Sequence, residues 1–238
     1  MALPINSSTP VYTLTVPSSN IVVKFRPFLI KEEKALLIAQ QSEDPIVMVN
    51  SLKQVIKSCL QTEVDVDDFA TFDIEYIFTQ MRAKSVGEIV DLSLKCDTCV
   101  DEKAVSNIKI NLTEVTVDKP ENHTNKIKLF DDVGVVLKYP SLETILKFES
   151  VESNNIDQLF NIVVDCIDYI YNSEEVFHAK EQTKSDLMDF LNNLSSDQFT
   201  SIQSFFETMP KLKKEITYKC PVCKTEHKKT LEGISSFF

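Results

Sequence analysis

Glycine is scarce in this 238-residue chain: Gly87, Gly134 and Gly233 are the only three, each near an apolar, strand-like run. A phosphate-cradling loop needs closely spaced glycines, so nucleotide binding of that kind is excluded. Arginine is scarcer still, with Arg26 and Arg82 set against 23 lysines. Such a bias fits an AT-rich coding sequence, and it would make the two arginines positions where lysine does not serve. A guanidinium forks a carboxylate and tolerates partial burial, so each either holds an acid in a half-buried network or lies on the surface by chance. Histidine occurs only at His123, His178 and His227, in polar surroundings with no motif. Nucleophilic catalysis needs a base beside its nucleophile, and no such constellation is legible. Paired acids are plentiful ("EEK", "VDVDDF", "SEE"), but helix starts and solvated faces account for them. The chain reads as a non-enzyme. No apolar run approaches the roughly 18 residues of a membrane span. The opening "MALPINSSTP" has neither the charged start nor the apolar stretch of a secretory leader.

What is present fits a soluble intracellular protein of one or two domains. At 43% hydrophobic residues the chain can bury a sizeable core. The formal charge of −11 argues against a general phosphate-binding surface. That charge is unevenly spread: Lys211 to Lys229 carries a local balance of +5, leaving −16 on the remainder. A basic segment on an acidic body either docks an acidic partner or nucleic acid, or offsets the negative charge of a metal site.

Two Cys-x-x-Cys pairs supply such a site. Cys96/Cys99 and Cys220/Cys223 are separated by 120 residues but have matching flanks, "EIVDLSLKCDTC" and "KKEITYKCPVC" before them and alternating stretches after. Each pair is the turn of a strand hairpin, one half of a zinc ribbon, and two halves make one four-thiolate site for a structural Zn2+. A disulfide framework belongs to short secreted chains, and a thioredoxin-like pair opens a helix after a strand. Four thiolates close the coordination shell, which disfavours a catalytic metal; a metal-dependent hydrolase would need an open position. His227 competes as a ligand or lies on the surface. Cys59 and Cys166 fall in apolar helical patterns and read as small core residues. The ribbon is expected to fold only with metal, the helical body without it.

Periodicity gives the order of elements. A hairpin flanks Pro17 to Asn20; helices follow at "LIKEEKALLIAQQ", from Asp44–Pro45, and from about Asp67 to Arg82. Strands are expected at "NIKINLTEV", "KIKLF" and "GVVLKY". Helices resume after Tyr139, Pro140 and Ser141, including one long helix whose apolar face joins Leu159, Phe160, Val163, Val164, Ile167 and Ile170, and one opening on a Ser195–Gln198 capping box. The expected fold class is α+β: a predominantly helical body, a small antiparallel β region and a four-cysteine zinc ribbon from two distant hairpins. Its segments are N-terminal strands and helical body (1–85), first knuckle and β region (86–138), C-terminal helices (139–210), and second knuckle with apolar tail (211–238), packed back on the first.

Several segments together carry a family resemblance: "VYTLTVPSSNIVVKFRPFLIKEEKALLIA", "DIEYIFTQMRAKSVGEIVDLSLKC", "LSSDQFTSIQSFFETMPKL" and "YKCPVCKTEHKKTLEGISSFF". In that order, with both knuckles, the chain resembles the zinc-knuckle baseplate hub subunits and hub assembly proteins of T-even-type contractile-tailed bacteriophages, nearly end to end. Both knuckles, "CDTCVDE" and "CPVCKTE", lack the glycine often found just after such turns. The resemblance implies a non-enzymatic late protein that builds or chaperones the central hub by contacts with other hub and tail proteins. It implies the host bacterial cytoplasm during assembly and the virion tail baseplate as a destination. The terminal Phe237 and Phe238 are candidate inserts for a partner's groove, or dock on the protein's own core. The competing class is a zinc-ribbon nucleic-acid or transcription module, argued only from the basic hairpin.

Overall fold

Asp44 and Pro45 start a helix as their residue types predict. The Asp44 carboxylate accepts the Ile46 N–H at 2.9 Å, and Pro45 occupies the first turn, where its missing N–H costs nothing. The computed structural model describes residues 9–99, 101, 103–149 and 156–237, which fall into two compact units, 1–118 with 211–238, and 119–210. Among the described residues are seven α-helices and four small antiparallel sheets, an α+β fold.

The first unit opens with the hairpin β1 (Tyr12–Thr15) and β2 (Val22–Phe25), paired from Tyr12↔Phe25 to Thr15↔Val22. Its connection turns through Asn20 at φ +57°, a left-handed conformation asparagine tolerates. That connection is pinned by Asp73, whose buried carboxylate accepts the backbone and hydroxyl hydrogens of Ser18. Helices α1 (Ile30–Gln41), α2 (Pro45–Cys59) and α3 (Thr71–Ser85) follow. Helix α2 buries Val49, Leu52, Val55, Ile56 and Cys59, one face at helical spacing. Helix α3 begins later than its acidic run suggests: Val66–Asp68 forms a separate 3₁₀ turn capped by Asp65, and Asp73 accepts the Ala70 N–H at the true start.

Beyond α3 come the strands of the two knuckles. β3 (Ile89–Lys95) pairs with β4 (Val105–Asn111) from Ile89↔Asn111 to Lys95↔Val105. β5 (Thr116–Asp118) pairs with β10 (Lys211–Lys219), which also pairs with β11 (Glu226–Glu232), so the chain's last hairpin returns to its middle. Ala83, Val90, Ile110, Leu112, Val115, Leu212 and Leu231 form the shared core beneath α3 and these strands.

The second unit wraps helices around one sheet in the order β6 (Lys126–Phe130), β7 (Val133–Leu137), β8 (Ile167–Tyr171) and β9 (Val176–His178). Its helices are α4 (Leu142–Glu149), α5 (Ile156–Cys166), α6 (Lys184–Asn192) and α7 (Ser196–Glu207). The capping box on α7 forms as expected: Ser195 N–H donates to Gln198 Oε1 at 2.8 Å and Gln198 N–H to Ser195 Oγ. The long helix through Ile170 does not form; α5 ends at Cys166, and Ile167 and Ile170 sit on a strand. Their three-residue spacing suits a helix, but a register irregularity opposite Val136 and Leu137 lets both be buried on β8, and Ile and Tyr fit a pleated surface. Ile127, Val135, Leu137, Val163, Val164, Ile167, Ile170, Leu187, Leu191, Ile202 and Phe205 form one cluster, which a strand serves as well as a helix.

Candidate metal centre and contact surfaces

Each Cys-x-x-Cys pair occupies the tip of a hairpin, as its flanks predict: Cys96 and Cys99 between β3 and β4, Cys220 and Cys223 between β10 and β11. Backbone bonds close both tips, from Cys96 N–H to Ala104 O and from Cys220 N–H to Thr225 O. In the second tip Lys224 adopts φ +61°, the position where such turns favour glycine, and its N–H donates to Cys220 O at 3.1 Å. Val100, the equivalent position of the first tip, lies outside the described residues.

Below the tips, two hydrogen bonds tie the hairpins together: Ser106 hydroxyl to Lys219 O at 3.0 Å, and Tyr218 hydroxyl to Lys95 O at 3.4 Å. The four sulfurs then converge, all within 4.8 Å of one another, close enough to hold a metal ion. Cys96 to Cys223 and Cys99 to Cys220 are each 3.8 Å apart. A disulfide would bring sulfurs to about 2.05 Å, whereas tetrahedral metal–sulfur bonds of about 2.3 Å give edges of about 3.8 Å. Cys96 and Cys220 are buried and Cys223 is exposed.

Electrostatics point the same way. The Thr98 hydroxyl helps lower Cys96 to about 7, and hydrogen bonds from Thr225 lower Cys223 to about 5. Cys99 is pushed up to about 12, chiefly through the hydrogen bond it shares with Cys223 and then by desolvation. Protein groups thus favour the thiolates of Cys96 and Cys223 and disfavour that of Cys99, so charging all four sulfurs at this spacing would take a cation.

Cys59 and Cys166 are buried core residues; burial raises both thiols, Cys166 to about 12. His227 lies beside the cysteine cluster, with Nε2 3.2 Å from Cys96 Sγ. That distance alone would suit a nucleophile and base, but Cys96 is 6% exposed and its sulfur faces the cluster. His123 is packed in the second unit between Tyr139 and Phe205, its ring nitrogens 3.0 Å from the Thr208 and Tyr139 hydroxyls. Thr208 already donates its own hydrogen to Ser204 O, so it accepts from His123 Nδ1. The ring, set in polar sequence, is a packing element.

Arg26 satisfies the half-buried network: its guanidinium donates to Glu32 at 2.9 Å, to Pro27 O and to Ser58 O. Glu32 is 6% exposed. Burial opposes its charge, but Arg26, the Leu29 N–H and Lys31 outweigh that and hold its carboxyl below the usual range. Arg82 is half-buried, and desolvation lowers it against the attraction of Glu33.

A family described as T4 bacteriophage base plate protein matches residues 9–238. The chain belongs to that family. No curated protein and no solved structure matches it.

This baseplate protein has a structural role in the phage tail, and its surface shows where contacts can form. Four of the seven lysines of the basic hairpin are already neutralised, Lys211 by Glu232, Lys213 by Asp118, Lys214 by Glu114 and Lys219 by Glu226. Sequence patterning missed a different feature. Ile30, Leu37 and Ile38 of α1 and Ile46 and Val47 of α2 are exposed, while Glu32 of α1 is buried on Arg26. Helical periodicity in α1 does not say which side turns inward; its buried residues are Glu32 and Ala39. Phe238 and the Phe237 side chain lie outside the described residues; the turn before them, Ile234–Phe237, is tied to α3 by Ile234 N–H to Glu75 at 3.1 Å. No described helix is long and apolar enough to cross a membrane.

Proposed function

We propose that this baseplate protein is a non-enzymatic component that builds or chaperones the central hub, and that its two knuckles hold one structural Zn2+ through Cys96, Cys99, Cys220 and Cys223. The observation that carries the reading is the convergence of four sulfurs from segments 120 residues apart, in a chain of the baseplate family. Zinc is favoured because it takes four thiolates tetrahedrally without redox chemistry. The hub assignment rests on the resemblance of the segments quoted above.

The partners are other hub and tail proteins, met in the host cytoplasm during assembly and kept in the tail thereafter. Contact through the exposed aliphatic residues of α1 and the start of α2 fits this role, since exposed apolar side chains clustered on neighbouring helices are candidates for interaction. The charges beside it narrow the partner's chemistry: Glu32 pairs with Arg26 and Lys31, and Glu33 is turned toward Arg82, while Lys34 stays outward. The occupant is therefore an apolar, acid-flanked segment of another baseplate protein. Phe237 and Phe238 remain a second candidate insert.

The deciding experiment is affinity isolation of the tagged protein from infected cells, with nuclease treatment, identification of bound proteins and metal analysis. Hub proteins indifferent to nuclease, with one zinc per chain, are expected. Recovery of nucleic acid in place of tail proteins, weakening steeply with salt, would establish the competing ribbon reading, which the paired lysines disfavour.

A further inference from the structure

The metal centre has one neighbour that its four-cysteine spacing does not announce. His227 stands opposite Tyr218 in the β10–β11 register, and the two rings stack at 5.2 Å with 24° between planes. Tyr218 is itself buried, with its hydroxyl on the carbonyl of Lys95, the residue before Cys96. The imidazole is thereby held from below, and its Nε2 reaches Cys96 Sγ at 3.2 Å.

We propose that His227 donates an Nε2–H···S hydrogen bond to the metal-bound thiolate of Cys96 and is a positioning residue of the centre, an inference that rests on the metal reading above. The distance separates donor from ligand. Two atoms bound to one tetrahedral ion, with bonds of about 2.05 Å to nitrogen and 2.3 Å to sulfur, would lie about 3.6 Å apart. The observed 3.2 Å is shorter and falls in the range of an N–H···S contact. The four sulfurs also complete the shell without it.

A metal-bound thiolate offers only lone pairs, so the hydrogen resides on Nε2 and the tautomer is settled by its partner. Four thiolates around a divalent cation leave two units of excess negative charge, and each N–H aimed at a sulfur spreads part of it. Val222 N–H serves Cys220 in this way at 3.4 Å, and the Thr98 hydroxyl lies 3.1 Å from Cys96. His227 thus supplies the first hairpin's buried sulfur with a donor from the opposite hairpin, coupling the two tips through something other than the ion. Such outer partners hold a ligand's orientation and affect metal affinity by about 10- to 100-fold.

The test compares full-length wild type with His227→Phe, which keeps a ring for Tyr218 but has no N–H, and His227→Gln, which restores a terminal N–H donor. Zinc affinity is read by chelator competition and the coordination shell by cadmium-113 NMR of the cadmium-loaded proteins, with circular dichroism to check folding. Zinc binding about 10- to 100-fold weaker in the Phe variant, recovered substantially in the Gln variant, with a four-sulfur cadmium signal in all three, is the expected result. Weak coupling between cadmium and the Nε2 hydrogen across the sulfur should be present in wild type and absent in the Phe variant. Equal affinities in wild type and the Phe variant, or direct cadmium–nitrogen coupling in wild type, would overturn the assignment while leaving the metal site standing. A wild-type chain that takes up neither zinc nor cadmium would remove the metal reading itself.

Discussion

The two units reach stability by different routes. The second gathers eleven buried residues around a single four-stranded sheet and leaves two large apolar side chains, Phe130 and Val176, well exposed among its described residues. The first is assembled from three small sheets, three helices and a cysteine cluster, and exposes apolar residues from Val11 to Ile89 and at Val222. A four-stranded sheet with its own core is expected to stand alone, whereas isolated two-stranded hairpins such as β1–β2 and β3–β4 are marginal without packing or a staple. The first unit carries the cysteine cluster and most of the exposed apolar residues, and the second carries the single larger sheet core.

Breaking the staple should show the largest contrast. Cys220→Ser removes a thiolate from a fully buried position, and structural zinc binding is worth on the order of 10 kcal/mol. Hydrogen exchange should then reveal lost protection at residues 95–99 and 217–226 with little change at 127–137. The base of the second hairpin should persist, because Leu212 and Leu231 are anchored in the core; this confines the metal dependence expected of the whole ribbon to its tip. Equal loss in both units would contradict the contrast.

Arg26→Met is the next largest, since it removes the main partner of the buried Glu32 carboxylate and leaves it Lys31 and the Leu29 N–H; loss of one partner of such a pair costs at most about 3–5 kcal/mol. Denaturant melts should show the first unit weakened and the second unaffected. The pH dependence has a definite sign: with Glu32 held below its usual value in the folded state, its contribution is present above the ordinary Glu range and fades as pH falls through the lowered one. Wild type should lose this increment on acidification, and the variant should not. Asp73 has the opposite sign, because burial raises it despite the Ser18 and Ala70 donors; its ionisation weakens the fold as pH rises from the ordinary Asp range through the raised one.

Gly134→Ala tests the second unit alone. An added Cβ would meet the Tyr171 hydroxyl and approach Ile127 O at 2.6 Å, and overpacking of this kind costs about 1–3 kcal/mol. Its thermal melt should shift while zinc content stays unchanged. Lys224→Gly should act in the other direction, raising first-unit stability by about 1 kcal/mol, because glycine meets no steric penalty at φ +61°. The smallest effect on folding belongs to Leu37→Asp with Ile38→Asp, at exposed sites where changes stay within about 0.5 kcal/mol. Incorporation into tails should nevertheless be lost; normal incorporation would show that α1 is not a contact surface.

Much of the fold was legible locally. Caps at Asp44 and Ser195, the alternation of β3, β4 and β6, the short apolar run of β7, and the paired cysteine turns each carry their signal within a few residues. Strand β8 was not legible, because the three-residue spacing of Ile167 and Ile170 is helical and only a register irregularity opposite Val136 and Leu137 lets a strand bury both, and three-residue strands such as β5 and β9 offer too little pattern to read. The identity of the four site cysteines was written in their spacing; the donor at His227 was not, since a single histidine two strands from its target has no local period.

Residue order alone thus determined which segments turn, which helices start where they do, and which four thiols belong together, because those preferences act within a turn or two of chain. Tertiary structure decided the rest: that Glu32 faces inward and Ile30 outward, that a run of isoleucines becomes a central strand, and that His227 meets Cys96. Those outcomes depend on which surfaces remain to be covered once distant segments have packed, and no stretch of sequence holds that information by itself.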